Sequence, residues 1–402
     1  MEISSKMKKI IGIVIGAGSE AVHAINKARE QGVYVVALDG NPDALGFKYA
    51  DEALNVDISD VEKVCTTIEK IEPDFVIPVP IGRYLSTTGY VNEKYGLKGV
   101  KYRATELSTD KYLFHQRLYN NGLRNIELYL INSKSNIDEI HIPYPAIMKP
   151  RFGSGSRDVF YINNDDELIE AYNKVSLLNE DFVLEQAVVG TEYGIDGVVI
   201  NGKLDIILVR KKIITPLPMR QATAYFSITD TENNIDMLNN IYAKIGKTVE
   251  VLEYDNCLLH ADLIINNEEI FVIEISPRPS GHNLHNVFVP MTTGIDIIEE
   301  YLKFLKNEPY NFTPDRIRCT QIRFFDFSDV VIERIPTLEE LNGCEDINII
   351  KWNCNIKSGE YMGKVTDGHS IMGRGFFIIE GENQKDLERQ SNYIMSKFDI
   401  TK

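Results

Sequence analysis

The chain has no Cys-x-x-Cys pair, no His-Glu-x-x-His pattern, no apolar run long enough to span a bilayer and no excess of basic charge. Each absence removes a class of function. Five scattered cysteines, at 65, 257, 319, 344 and 354, form no even disulfide framework and offer no zinc-ligand spacing. That usage suits a reducing cytoplasm, the expected location. The first ten residues lack the apolar core of a secretory leader, so none is expected. His282 and His285, three apart in a loop, read as ordinary polar contacts rather than metal ligands. A net charge of −16 argues against gripping nucleic acid or an anionic membrane, because both require a basic face. It leaves room for one nucleotide, which needs only a local cluster such as Arg210, Lys211, Lys212 and Arg220.

What is present is an ordinary globular composition, 44% apolar and 25% charged over 402 residues, enough for two or three domains. From Ile10 to about Lys101, apolar runs alternate with helical spacing: strands at Ile10–Ile15, Val33–Leu38 and Phe75–Val79, helices at Glu20–Glu30 and Val61–Ile71. That alternation predicts a parallel sheet covered by helices. Ser108-Thr109-Asp110 is an N-cap signal for a helix over Lys111–Leu118. Strands are expected near Ala146–Lys149, Val159–Ile162, Phe182–Glu185, Gly194–Ile200 and Leu204–Arg210, with helices near Asp166–Leu177, Ile235–Val249 and Ile295–Leu305. Glu308-Pro309-Tyr310-Asn311 reads as a boundary. Beyond it lie strands near Thr320–Phe325, Ile347–Lys351 and Phe376–Glu380 and a closing helix from Lys385 to Lys397.

The most informative stretch runs from Asp262 to Arg278. Two apolar runs flank Asn266-Asn267 and read as a β-hairpin that brings Asp262 and Glu274 level. Like charges about 4 Å apart cost roughly 1 to 4 kcal/mol unless a cation lies between them. Hard oxygen ligands on a sheet suit Mg²⁺, which keeps waters and substrate phosphates as its other ligands. Arg278, between two prolines, could hold a phosphate or carboxylate with its planar fork. Upstream, Lys149 ends an apolar strand ahead of Gly153-Ser154-Gly155-Ser156, whose small residues could close over phosphates. It is not a Walker loop, because Gly-Lys-Thr/Ser and the following helix are absent. Gly16-Ala17-Gly18-Ser19-Glu20-Ala21 with Asp39 leaves two readings open: a dinucleotide fingerprint, or a tight turn that requires glycine.

In order, these pieces are a helix lysine, a strand lysine with a Gly-rich flap, a Glu hinge followed by a second Glu, and an acid hairpin ending in Arg. Together they resemble the ATP-grasp superfamily, in particular its L-amino-acid ligases and other carboxylate–amine ligases. Ser358-Gly359-Glu360-Tyr361 and Gly373–Gly381 carry the likeness into the end of the chain. The resemblance implies an α/β ATP-grasp fold: a Rossmann-like parallel domain over 1–107, a two-lobed grasp over 108–308 and a small α+β domain over 309–402. The lobes would divide near residue 186. It implies that Lys111, Lys149 and the Gly153, Ser154, Gly155, Ser156 loop hold ATP phosphates, and that Lys149 and Arg278 act in catalysis. Glu185 would orient the adenine amino group, Gln186, Ala187 and Val188 would form the hinge, and Glu192 would hold the ribose. Asp262, Glu274 and Ser276 would ligate Mg²⁺, or Mn²⁺ in its place; Ser276 stands where many members have Asn. Arg83, Arg220 and His282 are candidate substrate contacts. The implied reaction joins a small-molecule carboxylate to an amine, both amino acids or derivatives, through an acyl phosphate, with release of ADP and phosphate. A bicarbonate-using carboxylase, a nicotinamide oxidoreductase and a non-catalytic nucleotide binder are the alternatives, and a homodimer is left open.

Overall fold

The computed structural model describes residues 9–153, 158–178, 180–216, 220–229, 234–343, 346–365 and 368–401. Strands β1 (Ile11–Ile15), β2 (Tyr34–Asp39), β3 (Glu52–Asn55) and β4 (Phe75–Val76) form a parallel sheet in the order β3-β2-β1-β4. Strand alternation sends Ile13, Ile15, Val36 and Leu38 towards helix α2 (Val61–Ile68). Val14, Val35 and Ala37 point the other way, onto α1 (Val22–Glu30). The expected strand to Val79 stops at Val76, since Pro78 and Pro80 have no N–H to continue a ladder. Helices α3 (Leu85–Lys94) and α4 (Tyr102–Thr109) follow, and the expected break after residue 107 falls inside α4.

Helix α5 (Lys111–Asn120) starts where the N-cap signal predicted it, with Asp110 accepting from the backbone of Tyr112 and Leu113. Strands β5 (Leu128–Ile131), β6 (Ala146–Pro150), β7 (Phe160–Ile162) and β8 (Phe182–Gln186) then form a small antiparallel sheet, ordered β5-β8-β6-β7. Helix α6 (Asp165–Val175) covers it through Leu168, Ala171 and Val175, against Met148, Phe182 and Leu184. This lobe has a core of its own.

The large sheet is antiparallel and begins with β9 (Thr191–Ile200), β10 (Lys203–Ile214) and β11 (Ala222–Ser227). Helix α7 (Ile235–Val251) leads to β12 (Cys257–Asn266) and β13 (Glu269–Ser276), and β14 (Thr320–Phe324) comes after the expected boundary near 309. β14 pairs with β11, so the last segment extends the same sheet, which ends with strands Gly375–Glu380 and Ile349–Cys354. One apolar cluster joins Val14 and Ala24 of the first domain, Val198 and Leu258 of the large sheet, and Ile322 and Phe376 of the last segment. Helices α4, α5 and α7 cover the opposite face through Leu107, Phe114 and Ile245. Among the described residues no helix is long and apolar enough to cross a membrane.

The β12–β13 hairpin turns one residue later than expected. Asn266 pairs with Glu269, and Asn267 and Glu268 take the positive φ values, 45° and 70°, of a two-residue turn. Leu263 then faces Val272, but Asp262 faces Glu274, so Ile273 is an unpaired bulge. Val272 and Ile275 both reach the helix-covered core although three residues apart. Glu274 is thereby brought to the face that carries Asp262.

Glycine at 194 is required by packing. A Cβ there would lie 2.3 Å from Nη1 of Arg210, which is fully buried and cannot withdraw. Gly194→Ala should therefore lower stability by about 1–3 kcal/mol in urea denaturation. Gly246, inside α7 with open space around it, provides the opposite sign: Gly246→Ala should raise stability by about 0.5–1 kcal/mol.

Candidate functional site

The site forms where the small lobe faces the charged half of the large sheet. Arg151, just past β6, grips Asp110 through Nε (3.0 Å) and Nη2 (2.7 Å), and its carbonyl accepts from Lys111 N at 3.1 Å. This clamp fixes the start of α5 beside the end of β6, so Lys111 and Lys149 approach each other. Lys111 Nζ donates to Gly153 O at 2.7 Å, at the base of the flap. Burial lowers the Lys111 pKa; the Glu274 carboxylate opposes that shift, and Lys149 adds to it. Ser154, Gly155 and Ser156 lie outside the described residues.

Glu185, expected to orient an adenine, is held here by charged neighbours. It sits on the same sheet face as Lys149, in diagonal register across β6 and β8. Its Oε1 accepts from Lys149 Nζ at 2.5 Å, and Oε2 is held by Arg124 and by His115 Nε2, 3.2 Å away. Burial would raise its pKa, but Lys149, His115 and Arg124 hold it well below the carboxylate range. Burial also drives His115 far below its ordinary value despite Glu185, so a neutral ring donates its Nε2–H. With its oxygens taken by three donors, the carboxylate anchors Lys149. At the expected hinge, Ala187 N–H donates to Pro145 O at 2.8 Å. Gln186 closes β8 opposite Ala146, and Val188 follows half-buried. Arg124 and His115 carried no motif in the sequence.

Across the gap, Glu192, Gly194 and Asp196 of β9, Arg210 and Lys212 of β10, and His260 and Asp262 of β12 line one face. Asp262 Oδ2 accepts from Lys212 Nζ at 2.6 Å, whereas its buried Oδ1 has no hydrogen-bond partner among the described residues. Burial would raise the Asp262 pKa, but Lys212 and then His260 bring it down to about 2. Burial opposes the charge of Lys212, and Asp262 more than restores it, so the lysine pKa is raised. Glu192, the expected ribose acid, is paired with Arg220, so these two predicted residues meet each other. Ser276 is buried and faces His260 in the ladder. Behind them Arg210 Nε binds Asp196 Oδ2 at 2.7 Å, and Ser280 Oγ donates to Asp196 Oδ1 at 2.5 Å. Arg210 Nη2 lies 3.4 Å from His260 Nδ1. A guanidinium only donates, so the neutral His260 ring, whose pKa burial lowers to about 4, presents Nε2–H towards Asp262, 3.8 Å away.

Arg278 leaves the end of β13, and its Nη1 donates to Pro279 O at 2.8 Å. His282 and Asn283 follow with φ of 62° and 59°, a strained pair of the kind that recurs at functional sites. His282 N donates to Glu20 Oε1 at 2.5 Å, tying this loop to the N-terminal glycine turn. Arg83 lies 5.5 Å from the ring centre of Phe152, at the root of the flap. At the glycine turn, Asp39 accepts from Ala17 N (2.7 Å) and Asn41 N (2.8 Å), one on each oxygen, so its carboxylate braces the turn.

Residues 142–286 match the ATP-grasp domain family. The carbamoyl phosphate synthase large chain, C-terminal section, of Aquifex aeolicus is 23% identical over 357 residues, covering 82% of this chain and 66% of that one. The arginine-specific large chain of Bacillus subtilis is 22% identical over 294 residues, 69% of this chain and 28% of its own. The chain thus spans two thirds or less of these relatives. The L-amino acid ligase from Bacillus licheniformis superposes with a TM-score of 0.78 at 18% identity, covering 98% of this chain and 99% of that one. The chain has the ATP-grasp fold.

A carboxylate with a depressed pKa contributes stability above its unfolded value and loses it as pH falls through the folded one. Glu185 and Asp262, from ordinary values of 4.5 and 3.8, should thus cost the protein stability progressively as pH drops from about 5 towards 2. Glu185→Gln leaves the Lys149 and Arg124 charges uncompensated. It should destabilise by about 3–5 kcal/mol at pH 7 and flatten this acid limb in urea titrations across pH.

Proposed function

Taking the chain as an ATP-grasp protein, we propose that it is an ATP-dependent carboxylate–amine ligase. It would activate a substrate carboxylate as an acyl phosphate and pass the acyl group to an amine, with ADP and phosphate as products. One observation carries this reading: Lys111 of α5 and Lys149 of the small lobe converge, with Glu274, which faces Asp262, close enough to bear on the charge of Lys111. Among the described residues no three acidic, His or Cys side chains form a closed metal cage. Two carboxylates and a hydroxyl instead suit an ion that takes its remaining ligands from phosphates and water. The unpartnered Oδ1 of Asp262 fits that use. Asp262, Glu274 and Ser276 would hold Mg²⁺, which supplies charge neutralisation at the phosphates when bound.

The residues divide the remaining work. Lys111 and Lys149 hold the phosphates, the small residues over 153–156 would add to that hold, and exclusion of water protects the acyl phosphate. The substrate carboxylate oxygen attacks the γ-phosphorus, and the bond to the β–γ bridging oxygen breaks. Arg278 holds the carboxylate and the acyl phosphate formed from it, its planar fork aimed by the prolines on either side. The amine then attacks the acyl carbon, phosphate departs and the amine loses a proton. Glu192, Arg220, Arg83 and His282 border the space left for nucleotide sugar and substrates. Amino acids and their derivatives are the substrate class.

The direct test is a screen of amino acid pairs that scores ADP and phosphate release, with mass spectrometry of products. AMP and pyrophosphate as products would overturn the acyl-phosphate route, and bicarbonate-dependent release without an amine would favour carboxyphosphate chemistry. Glu274→Gln should abolish turnover and leave the melting temperature within a few degrees. Arg278→Lys should keep near-normal ATP affinity in calorimetry and lose about 10²- to 10³-fold in turnover, the usual cost of one preorganised charge stabiliser. Near wild-type turnover would remove Arg278 from the mechanism.

A further inference from the structure

Lys212 belongs to the basic cluster noted in the sequence, and the nucleotide site does not account for it. It projects from β10 to the face of Asp262, although β9 lies between their strands. Gly194 of β9 faces both Asp262 and Arg210, so no side chain obstructs the crossing. The lysine side chain is 10% exposed and that of Asp262 28% exposed, and the ammonium lies 2.6 Å from Oδ2. The neighbouring acids on this face are also closed internally, Glu192 by Arg220 and Asp196 by Arg210. Lys212 therefore neutralises a carboxylate that, on the reading above, also serves a divalent cation.

Both cations cannot hold that carboxylate in full strength. An ammonium beside a dication is repelled, Glu192 and Asp196 already have partners, and Glu274, opposite Asp262, would be taken by the same cation. The flexible four-carbon stem of lysine lets its charge relocate by several ångströms. The anion that arrives together with the metal is the triphosphate.

We propose that Lys212 is an exchangeable counter-ion. It holds Asp262 in the free protein and moves onto a nucleotide phosphate when the divalent cation takes Asp262. Metal and nucleotide then load together, and the free protein resists binding metal alone. This inference rests on the nucleotide and metal site proposed above.

The test is Mn²⁺ binding to the whole protein without nucleotide, followed by electron paramagnetic resonance, so that no turnover is required. Lys212→Met should tighten Mn²⁺ on the order of 10- to 100-fold, the equivalent of losing a hydrogen bond between charged partners. The same variant should show weaker coupling between Mn²⁺ and a non-hydrolysable ATP analogue, and reduced turnover. Adding Asp262→Asn should erase the gain in Mn²⁺ affinity. Lys211→Met removes an equal charge one residue away on the other face and should stay within about twofold of wild type, since Lys211 reaches only Gln384, at 3.5 Å. Lys212→Gln provides a second neutral variant if the Met form does not fold. Unchanged or weaker Mn²⁺ binding by a folded Lys212 variant, with normal analogue binding by wild type, would overturn the exchange alone. Failure of wild type to bind the analogue with Mn²⁺ would overturn the nucleotide site and this inference with it.

Discussion

The chemistry of the large lobe depends on one extra residue in a strand. In a regular β13, Val272, Glu274 and Ser276 would share a face and Glu274 would be driven into the helix-covered core. Burying a charge there without a partner costs several kcal/mol, so the bulge at Ile273 satisfies two demands at once. Val272 and Ile275 stay with the apolar cluster, and Glu274 and Ser276 turn to Asp262 and His260. The carboxylates are therefore presented by a packed hairpin rather than a loop, a rigid support for groups whose spacing matters.

The charged face is organised by pairing. Asp196 with Arg210, Glu192 with Arg220, Asp262 with Lys212 and Glu185 with Lys149 and Arg124 each answer an acid with a base. Removing one partner from such pairs costs far more than the pair contributes, because the remaining charge is stranded. The fold thus tolerates a dense cluster of ligand-type residues before any ligand arrives. Burial at Lys111 works against its charge, so a phosphate there would find a cation with little competing solvation.

Much of this was legible from sequence where local rules suffice. Alternation placed Lys149, Asp262 and Glu274 at strand positions, and Asp110 capped α5 as its type predicts. The partners of Glu185 were not legible. Arg124 and His115 come from a loop and a helix about 60 and 70 residues upstream, with no periodicity to mark them. Lys212 stood out as charge, but its meeting with Asp262 depends on the order β12-β9-β10, which local pattern does not encode. The bulge left one trace, the three-residue spacing of Val272 and Ile275 where a strand should alternate. Asp39 was open to two readings, and its carboxylate accepts from two backbone amides.

The separate core of the small lobe has a mechanical consequence. A single apolar cluster binds the other three regions, so they move and unfold together. The small lobe meets them through polar joints: Arg151 on Asp110, His115 on Glu185 and Arg83 over Phe152. Swinging that lobe about such joints exposes little hydrophobic surface and so carries little heat-capacity change. Because two of these joints are buried or half-buried charged contacts, parting the jaws would be opposed by charge separation rather than by apolar exposure.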